Sequence, residues 1–414
     1  MTNLFVVSRF ASTANRRINH LLDLADADIR TIVVRQIHGK AERQIQHGAS
    51  VDVDLRGRGI YPANVALALV ASLELGLLSS FPLSVSLYLG ALKRGLFSAL
   101  RQAAKRGEAA TVLIVVPPPE LVVLASAIRR HFPDVVLAID WQDLWSPDDY
   151  YVRPGDSRHG RIVALERAAM DAADLNITSN PKARTAQLLL AGQAAEGPGS
   201  ERFLAIGHAY EGERAPMRPP PRGEVGRPRR LVFMGNLFKP PKVPGDMLIA
   251  ELGKARAAGV DLEMVVIGDH ELSANPAAVA ALPPFVKAIE RTSHEEAVSY
   301  LKDADWVVLL LGDLPNTRVI MHAKLGPYLA SGTPILAVVP EDSYVAEVIT
   351  ACRVGVVVPP GEGAGAAIAK LLFDPPAERL AVDDAKVRAF DLEAFQRRWR
   401  TILNDTGARA GRRA

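Results

Sequence analysis

"HAKLGPYLASGTPILAVVPED", residues 322–342, begins like a helix, carries Gly326-Pro327 inside it, stops at Ser331-Gly332-Thr333-Pro334 and runs straight into an apolar strand. Proline deep in a helix costs about 3 kcal/mol, because it lacks an N–H and its ring clashes with the preceding turn. In the first turn the same residue is well tolerated, so a helix that starts late, near Gly326, reconciles the two halves of the stretch. A helix feeding a short buried strand is the repeating unit of a parallel α/β sheet.

The same alternation fills the second half of the chain. LVFMG (231–235), LEMVVIG (262–268), WVVLLLG (306–312), PILAVV (334–339) and VGVVV (354–358) read as buried strands with helical patterns between them. The first half has its own series. Strands are expected at 3–8, 30–34, 111–116 and 135–140, and helices at 16–26, 92–106, 120–131 and 158–173. Two such series predict an α/β chain of two doubly wound, Rossmann-like domains. The expected division is 1–211, a linker at 212–230 ("GERAPMRPPPRGEVGRPRR" in full from 212), and 231–385. A C-terminal helix follows over 386–404, placed to pack back on the first domain, then a disordered tail at 405–414.

Composition limits the function. The 414 residues are 49% hydrophobic and 23% charged, ordinary for a globular chain and too many for one typical core. A net charge of +3, with no basic run studded with aromatics, argues against a nucleic-acid partner. The single cysteine, Cys352, excludes an internal disulfide and reads as packing in a reducing compartment. No signal peptide is expected from "MTNLFVVSRF". Residues 64–92 carry one charge, Glu74, and are interrupted at Pro82, each half being shorter than the roughly 20 residues of a membrane span. Arg56 and Arg58 precede the run; Lys93, Arg94, Arg101, Lys105 and Arg106 follow it. Three readings stay open: helices buried on the sheet, peripheral helices in a membrane interface, or a hairpin span.

In an open parallel sheet, ligands bind beyond the carboxyl ends of the strands. "GNLFKPPK" (235–242) supplies Gly235 for close backbone approach, and Lys239 and Lys242 to neutralise phosphate. "IGDHE" supplies Gly268. "GDLPNTRVIMHAK" (312–324) supplies Arg318, His322 and Lys324, with Asn316 and Thr317 as polar candidates for ribose hydroxyls. No zinc-spaced cluster, G-x-S-x-G, P-loop or G-x-G-x-x-G occurs, and Asp303-Ala304-Asp305 makes no convincing metal pair.

Taken in order, "LVFMGNLFKPPK", "LEMVVIGDHE", "SHEEAVSYLKDADWVVLLL", "KLGPYLASGTPILAV" and "VGVVVPPGE" resemble the nucleotide-binding domain of GT-B glycosyltransferases, particularly the retaining family 4. "AIDWQDLW" (138–145) and "ALERAAMDAADLNITSNPKA" (164–183) resemble the acceptor domain more diffusely. The resemblance implies two Rossmann-like domains facing a cleft and a retaining, metal-independent hexosyl transfer. The donor would be a nucleotide-diphosphate sugar and the acceptor a saccharide or lipid-linked molecule, in surface polysaccharide or glycolipid synthesis. No cofactor is implied. The place is the cytoplasm, at the inner face of the plasma membrane if 64–92 lies in the interface. Lys242 and Arg318, then Lys324, would stabilise the diphosphate, with Asn236 where the family usually has arginine. Asp140 and Asp143 are the catalytic candidates from the first half, where Asp143 also reads as a turn residue. Ser12, Thr13 and Asn15 read as sugar contacts or a helix cap, and His38 as a further candidate. Pro327 stands where the family usually has the glutamate that holds the ribose, and Val319 replaces a second common glutamate. Those departures keep a rival open: a silent GT-B subunit that binds without catalysing.

Overall fold

The structure, a computed structural model, describes residues 2–8, 17, 20–21, 24, 29–37, 49–54, 83–116, 119–146, 159–222, 226–268, 272, 275–290 and 292–410. Ser12, Thr13, Asn15, His38, Arg56, Arg58 and residues 64–82 lie outside that description. The chain forms two compact units: residues 1–207 with 395–414, and residues 208–394.

The first unit is built on seven parallel strands, β1 (Thr2–Ser8), β2 (Ile29–Ile37), β3 (Ala49–Asp54), β4 (Ala109–Val116), β5 (Val136–Trp141), β6 (Leu175–Thr178) and β7 (Phe203–Ala205). Their order is β3-β2-β1-β4-β5-β6-β7. Helices α1 (Leu83–Lys105), α2 (Leu124–His131), α3 (His159–Ala172) and α4 (Pro181–Leu190) cover the sheet. Residues 111–116 and 136–141 are buried without interruption, as strands covered on both faces must be. The end of the apolar run, residues 83–92, is the start of α1, with Leu89 and Leu92 in the core. Among the described residues no helix is long and apolar enough to cross a membrane.

The second unit holds β8 (Arg229–Met234), the short antiparallel pair β9 (Phe238–Lys239) and β10 (Val243–Pro244), then β11 (Leu262–Ile267), β12 (Val286–Ile289), β13 (Trp306–Leu310), β14 (Ile335–Val338) and β15 (Gly355–Val358). Its helices are α5 (Gly245–Ala257), α6 (Pro276–Ala280), α7 (His294–Asp303), α8 (Leu325–Ser331), α9 (Tyr344–Cys352), α10 (Ala364–Phe373) and α11 (Asp384–Arg388). Six strands form one parallel sheet in the order β12-β11-β8-β13-β14-β15. Alternate residues feed separate cores on its two faces. Val232, Val265, Val307 and Ile335 pack with Leu301, Tyr328 and Ile349; Leu231, Phe233, Met264 and Val308 pack with Leu248, Leu252 and Ile368.

The fold accommodates Pro327 at the start of a helix. Helix α8 starts at Leu325, so Pro327 sits in its first turn, where backbone N–H groups lack intrahelical partners anyway. Gly332 ends the helix at φ +67°, and a Cβ there would collide with the carbonyl oxygens of Ala215 and Pro216. Those carbonyls belong to residues expected as a free linker. Instead Ala215 N–H donates to the Ala330 carbonyl (2.9 Å), Arg218 N–H to that of Gly332 (3.0 Å), and Arg214 pairs with Asp384 (2.8 Å). The stretch is a strap on the second unit, and the units divide after Gly207 rather than after 211. A second difference lies at the C-terminus. Helix α12 (Leu392–Ala410) runs past the tail expected from 405, since one internal glycine, Gly407, costs only about 1 kcal/mol.

Candidate functional site

In the order β12-β11-β8-β13-β14-β15, the chain reverses direction of travel across the sheet between β8 and β13, and the ligand crevice of such sheets lies at that switch. The two strands pair only at Leu231–Trp306 and Val232–Val307. Beyond that they part, and the hydroxyl of fully buried Tyr328 fills the gap. It accepts from Met234 N–H (3.1 Å) and donates to the Val308 carbonyl (3.1 Å). Burial holds the phenol above its ordinary range.

Two loops leave the strand ends at this opening. Gly235, at φ +93°, donates its N–H to the Ile267 carbonyl (2.7 Å), and a Cβ there would lie 3.0 Å from Cε of Lys324. The glycine thus admits Lys324, whose ammonium sits 3.8 Å from the centroid of the Phe233 ring. The second loop presses on the first: Gly312 N–H donates to the Lys242 carbonyl (2.9 Å), and a Cβ on Gly312 would strike the Pro241 carbonyl. His322 lies among these cations. Its Nδ1 accepts from the Lys324 N–H (3.2 Å), which leaves the proton of the neutral ring on Nε2. Burial first, then the charges of Lys324, Lys242 and His208, push the imidazole well below its ordinary pKa. Neutral at pH 7, the ring offers Nε2–H as a donor beside two lysines.

The remaining candidates separate. Asn236 follows Gly235 and is half-buried, Lys239 is exposed on β9, and Gly268 (φ +77°) has open space where a side chain would point. Thr317 is consumed: its hydroxyl reaches the carbonyls of Gly312 (2.6 Å) and Leu314 (2.8 Å) and accepts from Leu314 N–H. Asn316 is buried, and its Oδ1 has no hydrogen-bond partner. Arg318 turns to carboxylates, with Nε 2.9 Å from both oxygens of Asp342 and Nη2 2.5 Å from Asp313. Pro327 itself offers no side-chain acceptor in the first turn of α8.

In the first unit, Asp140 does not stand free at its strand end. It is fully buried and accepts two bonds of 2.7 Å from Arg17, which also donates to the Gly207 carbonyl (2.8 Å). The guanidinium lies over Phe395 (5.3 Å) and Trp399 (5.9 Å) of α12. Asp143 is half-buried in the turn after β5. That turn is held from behind by Glu166 of α3, which accepts from Trp145 N–H (2.6 Å) and Ser146 N–H (3.0 Å). Desolvation raises the Glu166 pKa despite these bonds. Tyr328 and Glu166 were not among the sequence candidates, although both sit inside the quoted motifs.

No protein-family profile matches the sequence, and a search of curated proteins finds no match. Solved structures do match over nearly the whole chain. Sucrose-phosphate synthase from Thermosynechococcus elongatus superposes with a TM-score of 0.65 at 15% identity, covering 99% of this chain and 100% of that one. The E. coli trehalose-6-phosphate protein bound with UDP-2-fluoro glucose gives 0.64 at 14%, covering 97% and 98%. Anabaena HepE in complex with UDP gives 0.62 at 13%, covering 98% and 100%. The chain has the GT-B fold. At these identities the likeness fixes architecture; what the chain does rests on its own residues. Among the described residues no group of three or more His, Cys, Asp or Glu gathers as a metal would require.

Proposed function

We propose that this GT-B chain is a glycosyltransferase that moves a sugar from a nucleotide-diphosphate sugar to a saccharide or lipid-linked acceptor. One observation carries the reading: Lys242, Lys324 and a neutral His322 converge at the switch point of the second sheet. Clustered cations raise one another's energy, an arrangement that an anionic ligand relieves. UDP in the Anabaena neighbour and a UDP-sugar analogue in the E. coli neighbour support the ligand class.

When the bond between sugar and diphosphate breaks, negative charge grows on the leaving phosphate. Lys242 and Lys324 would stabilise that charge and His322 Nε2–H would donate to it, worth most in the transition state. The lysines take the part a metal would otherwise play, so the transfer is proposed as metal-independent. It is also proposed as retaining, in surface polysaccharide or glycolipid synthesis at the inner face of the plasma membrane. The acceptor would approach the turn that carries Asp143.

Pro327 favours a second reading, a subunit that binds nucleotide without catalysing, because the ribose loses its carboxylate partner. Thermal melts with UDP, GDP, ADP, CMP and TDP test the first step. A ligand at a hundred times its dissociation constant adds about 2.7 kcal/mol. A shift with one diphosphate, followed by slow hydrolysis of the matching sugar nucleotide, supports the enzyme. A shift without hydrolysis or transfer supports the silent subunit, and no shift with any nucleotide rejects both.

A further inference from the structure

Between Glu74 and Glu108 the sequence holds five basic residues and no Asp or Glu, in a chain otherwise close to balance at 49 basic against 46 acidic. Most of that interval is helix α1. Its Leu92, Leu96, Phe97 and Leu100 are buried on the sheet, and Lys93 is buried with its ammonium over the Phe97 ring. The opposite side carries Arg94, Ser98, Arg101 and Lys105, all exposed, in steps of four, three and four that keep them on one line. The three charges span about 16 Å along the axis. Helix α2 packs beside it, with Phe132 edge-on to Phe97 at 4.9 Å, and is also free of acidic residues. It ends in exposed Arg130 and His131, while its Arg129 turns inward to Asp174 (2.5 Å). The nearest acid along the chain, Glu108, is taken up by Arg106 (2.7 and 2.8 Å) and Asn3 (2.8 Å); Asp134, after α2, is exposed.

We propose that this basic face of α1 docks the protein on an anionic phospholipid surface. Charge complementarity selects the occupant. The residues beside the charges are small or polar (Ala91, Gly95, Ser98, Ala99, Gln102), so lipid phosphates can reach the cations, and from Leu89 to Lys105 no large apolar side chain is exposed for insertion. Among its described side chains the face exposes no Phe, Tyr or Trp on which a base could stack, so a flat charged sheet fits it better than nucleic acid. The contact assigned here differs from burial of the apolar run 64–92 in lipid, because in its described part that run turns Leu89 and Leu92 into the core. It is also independent of glycosyl transfer; a chain inert towards every sugar nucleotide leaves it standing.

Co-sedimentation of the full chain with vesicles tests it. Phosphatidylcholine vesicles should not retain the protein, and vesicles mixed with phosphatidylglycerol should, with release as salt rises. Each basic residue near such a surface is worth roughly a fivefold change in partition, so Arg94→Glu/Arg101→Glu/Lys105→Glu should lose at least about a hundredfold. Should that variant melt early, the same three positions changed to Gln provide the measurement. The exposed pair Arg397→Glu/Arg400→Glu on α12 should change binding far less. Equal binding to neutral vesicles, salt-resistant binding, retention of both triple variants, or no binding by the parent would each overturn the proposal. Binding to single-stranded DNA without binding to vesicles would overturn it in favour of nucleic acid.

Discussion

The two sheets switch direction at equivalent places, yet they treat charge in opposite ways. At the carboxyl end of the first sheet, Asp140 and Arg17 bury their charges against each other, under two aromatic rings. At the carboxyl end of the second, Lys242, Lys324 and His208 stand near His322, and burial first, then their charges, push the imidazole towards its neutral form. A buried pair answers its own desolvation, whereas gathered cations set up a positive field at their strand ends. The first arrangement braces its sheet, and the second is the one proposed as the site.

The largest effect is expected at Asp140. Removing one partner of a buried pair strands the other charge, so Asp140→Ala should destabilise the chain by about 3–5 kcal/mol in denaturant unfolding. Replacing both partners with apolar residues, Asp140→Leu with Arg17→Met, should recover most of that loss. If Asp140 instead acts on substrate, the single change to Ala would leave the unfolding midpoint near the parent's and abolish turnover.

At the second sheet the balance reverses. Lys242→Ala and Lys324→Ala should each weaken nucleotide-diphosphate binding by roughly 1.5–3 kcal/mol, the range for hydrogen bonds to charged groups, read by titration calorimetry. Stability should change far less than in Asp140→Ala, because each change removes a like-charge neighbour along with the lysine's own contacts, which for Lys324 include the Phe233 ring. Unchanged affinity in both variants would remove the site from this end of the sheet.

His322 refines the same contrast through pH. Its folded-state pKa lies below the unfolded value of about 6.5, so the unfolded chain binds the proton first as pH falls. Its share of stability is therefore present above about pH 6.5 and fades as pH drops towards the folded-state pKa. Lys324→Ala should move the imidazole titration, followed by NMR, upward and shrink that share. A titration unmoved by this substitution would mean that burial alone sets the shift.

What the sequence made legible follows from the range of each interaction. Strands covered on both faces are continuous apolar runs, so every strand of the second sheet's centre could be read directly, and with it the strand-end loops bearing Gly235, Lys242, His322 and Lys324. The fates of Asp140 and Arg318 were not legible: Asp140 meets Arg17 across 123 residues, and Arg318 divides its fork between Asp342, 24 residues on, and Asp313 in its own loop, a choice of partner that spacing does not mark. Glu166 and Tyr328 escaped for a related reason. Each serves backbone groups of a distant turn or strand, and a glutamate in a helix or a tyrosine after a proline carries no sign of that.

Arg318 gives the smallest expected effect and the finest test. Its position in the loop before α8 makes it a natural phosphate ligand, whereas its side chain spends its fork on Asp313 and Asp342. Both carboxylates are well exposed, at 59% and 67%, so the pairs are screened by water and worth about 0–1 kcal/mol. Arg318→Ala should therefore change stability by no more than that, and nucleotide affinity by less than about 0.5 kcal/mol, since no phosphate contact is lost. The alternative is that a ligand draws Arg318 away from its carboxylates. Binding would then break two weak pairs to form a stronger charge-assisted one, and Arg318→Ala would cost as much affinity as Lys242→Ala. Equal losses in those two variants would transfer Arg318 from the loop's internal bracing to the site itself. The contrast between spent and available charge would then lie within a single loop.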